Sequence, residues 1–234
     1  MNWVVFDVDG VLLDVGESYD IATELTVEYF TGTKVDLGLL GKFRVKGALG
    51  DDYNLSQALI CGLGTGDVEN FVDEFPRGGT MDWVRERYES PVDIEDIKAV
   101  FDTYYLGEKC PEPLFPFDGL WKKERVLVDM ALLEEVESRY SVGAVTGRSS
   151  LEMDLAEKTL GYRFEHRVTS DDFLKPDPRA LASLVRDEPG VFIGDSNTDE
   201  VLVEAYNREY KGRFEFIMVQ RDVEDVNEAI RALL

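Results

Sequence analysis

Apolar positions along this chain change their spacing twice. An unbroken run, Trp3-Val4-Val5-Phe6, ends in Asp7-Val8-Asp9-Gly10. A short β-branched run halted by acids and a glycine predicts a buried strand that delivers carboxylates to its C-terminal edge. From about Glu17 to Thr31 the spacing turns helical, with Ile21, Leu25, Val27, Tyr29 and Phe30 as apolar positions and Ser18 placed to cap the start. Short helices are expected next over Leu55–Leu63, Val68–Phe75, Met81–Tyr88 and Ile94–Tyr105, broken by glycine and proline, with no second strand among them. The proline-rich Cys110–Gly119 cannot continue a helix and reads as a linker. Past it, helices over 122–139, 149–160, 177–186, 198–209 and 224–233 alternate with strands over 141–145, 164–168, 191–193 and 213–219. Such alternation implies a parallel sheet covered on both faces, which the first strand must join. The expected fold class is α/β, a three-layer core of residues 1–14 and 111–234, with residues 15–110 inserted as an all-helical domain of roughly ninety residues.

Composition narrows the partners. Hydrophobic residues make up 44% of the 234, enough for a folded core, and the formal net charge is −23. That charge repels a nucleic-acid backbone. A small phosphorylated metabolite stays compatible, because a local cation offsets the global field. No apolar run approaches the ~20 residues of a membrane helix, and the N-terminus reaches Asp7 without a basic region or a long apolar stretch. No membrane association and a cytoplasmic location are therefore expected. Cys61 and Cys110 are too few for a disulfide framework and are expected as buried free thiols. The single histidine, His166, leaves acid–base work to carboxylates. The patterning selects neither monomer nor homodimer.

Four stretches carry candidate chemistry. Side chains two apart on a strand point the same way, so Asp7 and Asp9 leave toward one crevice, where one carboxylate can attack while its neighbour holds a proton; a calcium loop or an acidic turn is the plainer alternative. Val142-Gly143-Ala144-Val145-Thr146-Gly147-Arg148 is a strand ending in Thr-Gly ahead of a helix, which suits a phosphate cradle and equally an ordinary helix cap. Lys175 precedes Pro176-Asp177-Pro178 at a helix start, which fixes where its ammonium sits. Val191-Phe192-Ile193-Gly194-Asp195 is a second apolar strand ending in acids, with Asp199 four residues on; it offers oxygen ligands of the kind magnesium prefers, or helix-capping acids. In the helical part, Lys42, Arg44 and Lys46 form a basic cluster that can hold a second anionic group or simply be a solvated surface.

In order, D-x-D, a strand-end Thr, a Lys before a helix and G-D-x-x-x-D resemble the four motifs of the haloacid-dehalogenase-like superfamily of phosphohydrolases. The likeness spans Asp7 to Asp199. The helical insertion resembles the small cap of phosphoglycolate-phosphatase-like and β-phosphoglucomutase-like members, and Lys46–Leu55 is similar to a cap loop of another branch. The resemblance implies a Rossmann-like core with a cap domain, Mg2+ as cofactor and hydrolysis of small phosphomonoesters. It makes Asp7 the nucleophile of an aspartyl-phosphate and Asp9 the general acid and then base. Mg2+ would be held by Asp7, the backbone carbonyl of Asp9 and Asp195, with Asp199 in support or as a further ligand. Thr146 and Lys175 would hold the phosphoryl oxygens, with Gly147 and Arg148 beside them. Dehalogenase and phosphonatase members have no acid at the position of Asp9, so its presence favours phosphate esters. A phosphomutase of a sugar phosphate stays open as an alternative, as does a non-catalytic phospholigand-binding protein. The charges explain the metal: a phosphate dianion among ionised Asp7, Asp195 and Asp199 faces only Lys175 as a counter-charge.

Overall fold

The apolar run Trp3–Phe6 becomes the central strand of a parallel sheet in the computed structural model of the protein, which describes residues 2–47 and 49–234. In chain order the elements are β1 (Trp3–Phe6), β2 (Leu13–Asp14), α1 (Tyr19–Thr31), α2 (Leu37–Lys46), α3 (Asp52–Gly64), α4 (Val68–Glu74), α5 (Met81–Arg85) and α6 (Ile94–Leu106). After short 3₁₀ turns at Gly107–Lys109 and Leu120–Lys123 come β3 (Arg125–Val126), α7 (Met130–Glu137), β4 (Ser141–Val145), α8 (Ser150–Leu160), β5 (His166–Val168), α9 (Arg179–Val185), β6 (Gly190–Gly194), α10 (Asn197–Glu209), β7 (Phe214–Met218) and α11 (Val226–Leu233). The chain divides into two units, Met1–Val15 with Glu124–Leu234, and Gly16–Lys123.

The first unit is α/β, as the alternating pattern required. Its sheet runs β5-β4-β1-β6-β7, every pairing parallel. All four residues of β1 are buried, and they alternate between two helical layers. Val4 and Phe6 pack with Leu133, Met153, Ala156 and Ile230 from α7, α8 and α11. Trp3 and Val5 pack with Leu181, Leu202 and Tyr206 from α9 and α10. Truncating Phe6 to alanine would cost about 3–5 kcal/mol, the usual cost of an emptied aromatic core position. The chain leaves β1 toward β4 and β5, then crosses to β6 and β7 on the other side. That reversal opens a crevice at the C-terminal ends of the strands flanking β1. β2 and β3 form a separate antiparallel pair.

The second unit is all helical, built around Val27, Leu40, Phe43, Leu59, Phe71 and Ile97. Its helix starts are locally encoded: the side chains of Asp36, Asp51, Asp67, Thr80 and Asp93 each accept a backbone N–H of the first turn. Cys61 and Cys110 are free and buried. Among the described residues, no helix is long and apolar enough to cross a membrane.

Three sequence expectations need correction. α2 was not expected, because Gly38 and Gly41 weaken its helical pattern; the Asp36 cap and the burial of Leu40 and Phe43 override that. The helix expected over 122–139 begins only at Met130, where Asp129 accepts the Ala131 N–H at 2.9 Å. The preceding residues pair as β3 with β2, an attachment to distant chain that local periodicity does not report. The boundary expected at residue 111 falls between Lys123 and Glu124. The proline-rich stretch packs on the helical unit: the Phe115 ring lies 5.7 Å from Tyr29 and 4.9 Å from Tyr104, and the Leu114 N–H donates to the Thr103 hydroxyl. Of the stretch likened to a cap loop, Ala48 lies outside the described residues, while Asp51 caps α3.

Candidate functional site

Strand register assembles the site within the first unit. Phe6 pairs with Ala144 on one side and Ile193 on the other, so Asp7, Thr146 and Asp195 follow the C-terminal ends of three adjacent strands. The backbone N–H of Asp7 still donates to Ile193 O at 2.9 Å, and that of Thr146 to Val168 O at 3.0 Å, so both leave the sheet in fixed directions. Lys175 comes from the loop before α9. Its Nζ lies 2.8 Å from Asp7 Oδ1 and 2.7 Å from Asp199 Oδ1, with all three side chains buried.

The carboxylates are individually restrained. Asp7 Oδ1 also accepts the Val8 N–H at 2.8 Å. Asp199, in the first turn of α10, accepts the hydroxyl of its cap Ser196 at 2.7 Å through Oδ2. Two glycines permit the close approach. Gly10 adopts φ +71°, and a Cβ there would stand 2.1 Å from Asp195 Oδ2; a Cβ on Gly194 would stand 2.7 Å from Asp199 Oδ2. Neither position has room for a side chain.

Burial raises the Asp7 carboxyl well above the ordinary carboxylate range; Lys175 opposes the shift, and the charges of Asp199, Asp9 and Asp195 add to it. Asp195 is pushed up to about 6, first by the desolvation of the crowded loop and then by the Asp199 charge. Burial alone would lower the Lys175 ammonium, but Asp7 and Asp199 outweigh it and hold it above its usual value. Repulsion among clustered acids is therefore built into the protein alone.

This donor set fits a hard divalent cation. One carboxylate oxygen from each of Asp7, Asp195 and Asp199 lies within 4.8 Å of the other two, and all-oxygen ligation suits magnesium. Asp199 commits both oxygens to Lys175 and Ser196, which suits it to a supporting role beside Asp7 and Asp195. The Thr146 hydroxyl accepts the Arg148 N–H at 3.2 Å, so its own hydrogen stays available to an anion. Gly147 is exposed in the same turn.

Several residues singled out in the sequence stand elsewhere. Arg148, expected beside the substrate, is buried and turned back into the unit: its Nε and Nη2 donate to Asp9 Oδ1 at 2.8 and 2.6 Å, and Nη2 lies 3.0 Å from Glu124 Oε1. Two of its partners are acidic side chains, which accounts for a guanidinium so far from solvent. The basic cluster of α2 is engaged by its own unit. Lys42 bonds Asp73, Arg44 bonds Asp20 and Asp52, and the Lys46 ammonium donates to the backbone oxygens of Val72 and Asp73. Each of the three thus has a partner within the helical unit. His166 packs 5.1 Å from Trp3 beside a cavity of about 560 Å³ at the N-terminal ends of the strands, which contains none of the motif residues. Sequence reading passed over Ser196, over Glu152, whose carboxylate accepts the Ser149 N–H at 2.7 Å in a capping box at the start of α8, and over Glu124. The first two carry a local signal, a serine three residues before an acid at a helix start; Glu124 carries none, because its partner is 24 residues away.

Neither the protein-family models nor the curated proteins contain a match to this chain. Solved structures do match. Phosphatase Tt82 from Thermococcus thioreducens is 52% identical over 99% of this chain and 98% of its own, with a TM-score of 0.89. A HAD-superfamily hydrolase, subfamily IA, variant 1, from Geobacter sulfurreducens PCA is 17% identical, covers 100% of this chain and 97% of its own, and superposes with a TM-score of 0.58. A hydrolase from Pseudomonas syringae is 16% identical, over 99% and 97% of the two chains, with a TM-score of 0.58. The last two speak to the fold alone. With a half-identical relative along its full length and the four motif stretches at one sheet edge, the chain belongs to the haloacid-dehalogenase-like superfamily of hydrolases.

Proposed function

We propose that the protein is a magnesium-dependent phosphatase of small phosphomonoesters that works through an aspartyl-phosphate on Asp7. One observation carries this reading. Asp7 Oδ1 is tied by the Lys175 ammonium and the Val8 N–H, which leaves Oδ2 as the oxygen to attack phosphorus, beside the hard oxygen donors Asp195 and Asp199 and next to the strand that ends at Thr146. The half-identical relative is itself named a phosphatase.

Attack by Asp7 forms the Asp7–phosphorus bond as the bond to the leaving alcohol breaks. Asp9, two residues on, gives the alcohol its proton and then takes one from the water that cleaves the acyl phosphate. Thr146 and Lys175 hold the non-bridging oxygens, Lys175 offsetting their charge. Asp7, the Asp9 backbone carbonyl and Asp195 would hold the Mg2+, with Asp199 in support; when bound, the ion supplies positive charge that lets a dianion approach the acids. A cytoplasmic setting goes with this reading.

The test is phosphate release from a panel of phosphorylated metabolites with magnesium and with chelator, beside Asp7→Asn. Turnover that needs magnesium and Asp7, with phosphate appearing as fast as ester disappears, is expected. Phosphate release that survives Asp7→Asn would overturn the assignment, and ester isomerisation without matching phosphate release would make the protein a mutase.

A further inference from the structure

The buried Arg148, expected beside the substrate, ends instead on the proposed acid. Its side chain has 0% exposure, as does that of Glu124, while the Asp9 side chain is 31% exposed. Arg148 thus bridges an enclosed carboxylate and one that reaches solvent. Both guanidinium donors to Asp9 end on the same oxygen, Oδ1, so the grip leaves Oδ2 outside it. The planar fork suits such a grip, and a lysine ammonium cannot reproduce it. A buried ion pair is also a poor source of stability, since hydrophobic residues of like volume commonly do as well or better. Asp9 sits in a turn just before Gly10, whose φ is +71°. Held only by that turn, its carboxyl would sample several rotamers, and proton transfer tolerates little misplacement.

We propose that Arg148, seated by Glu124, is the positioning residue that fixes Asp9 in the orientation from which it protonates the leaving alcohol. The proposal rests on the assignment of Asp9 as general acid. Arg148 does not touch substrate in this scheme. It holds Asp9 Oδ1 so that Oδ2 faces the departing oxygen. Glu124 is the residue at which the chain returns to the α/β unit, and it keeps the guanidinium from being buried beside a single counter-charge.

A group that positions a proton donor matters most when the leaving group needs the proton. The test compares kcat/KM for an alkyl phosphate with that for an aryl phosphate whose phenol leaves unaided, in the magnesium-loaded enzyme. Arg148→Lys should lower the alkyl value by about tenfold or more, within the range general-acid catalysis spans, and the aryl value by less than about threefold. Glu124→Gln should act in the same direction, more weakly. The double variant Arg148→Met with Glu124→Met, which leaves neither buried charge unpaired, covers the case in which a single variant does not fold; it should fold and still lose the alkyl reaction selectively. Equal losses on both esters in variants that fold would overturn the proposal and indicate a structural or substrate-binding arginine. Asp9→Asn separates the two layers. If it discriminates between the esters and the Arg148 variants do not, the positioning role alone fails; if it does not discriminate, the general-acid assignment fails and this proposal with it.

Discussion

Lys175 Nζ lies 2.8 Å from Asp7 Oδ1, the same oxygen that accepts the Val8 N–H. One ammonium thereby orients the proposed nucleophile, and through its 2.7 Å contact with Asp199 Oδ1 it ties that residue to an acid on α10. Replacing Lys175 by methionine leaves two buried carboxylates without their cation. The expected loss is about 3–5 kcal/mol of stability together with more than about a hundredfold in turnover. Adding Asp199→Asn should return part of the stability and none of the activity. Denaturant titration beside kinetics measures both, and recovery of activity in the double variant would contradict the phosphate-binding role.

Asp7→Asn is close to isosteric and keeps an oxygen to accept from Lys175 and Val8. It should retain the circular-dichroism spectrum and take up no label from a radioactive phosphomonoester. Because burial and three neighbouring acids disfavour the charge on Asp7, the variant should melt no lower than the wild type without metal. A labelled Asp7→Asn protein would place the nucleophile elsewhere.

The raised carboxyls of Asp7 and Asp195 set a pH dependence with a definite sign. A folded-state pKa above the unfolded value means that the native protein binds protons more tightly, so the stabilisation is present below the unfolded value of 3.8 and is lost as pH rises through about 6 for Asp195. The metal-free protein should therefore lose the Asp195 contribution between about pH 4 and about pH 6. Protons and a cation compete for the same oxygens, so magnesium affinity should weaken as pH falls through about 6. Thermal melts and calorimetric titrations across that window, with and without magnesium, read both effects; magnesium affinity independent of pH would separate Asp195 from the metal.

Gly10 has no tolerance for a side chain, since its φ is +71° and a Cβ would meet Asp195 Oδ2 at 2.1 Å. Gly10→Ala should cost about 1–2 kcal/mol from the left-handed backbone and weaken magnesium binding by displacing Asp195. Unchanged metal affinity, read by calorimetry, would show that Asp195 is not the ligand Gly10 makes room for.

The basic residues of α2 offer the opposite contrast. Arg44 joins Asp20 and Asp52 within the helical unit, at 40% exposure, so Arg44→Ala should cost no more than about 1 kcal/mol, as partly exposed pairs do. KM should stay within about twofold of the wild type in this variant and in Lys42→Ala. A KM raised much more than that would return the cluster to substrate binding.

Local pattern determined the alternating strands and helices, the all-helical insertion and the four stretches that carry candidate chemistry, because a strand ended by acids or a helix opened by a cap is written in neighbouring residues. Asp7, Thr146, Lys175, Asp195 and Asp199 were legible for that reason, each standing at a junction between elements. Tertiary structure alone decided which charges meet. Arg148, an arginine beside a phosphate-like motif, turns away to Asp9 and Glu124; of the cation cluster Lys42, Arg44 and Lys46 in an acidic chain, the first two are engaged by acids of their own unit and Lys46 by backbone oxygens. A long charged side chain reaches several ångströms from its backbone in any direction, and its partner is whichever counter-charge the packing of distant segments brings within that reach. Spacing along the chain carries no record of that choice.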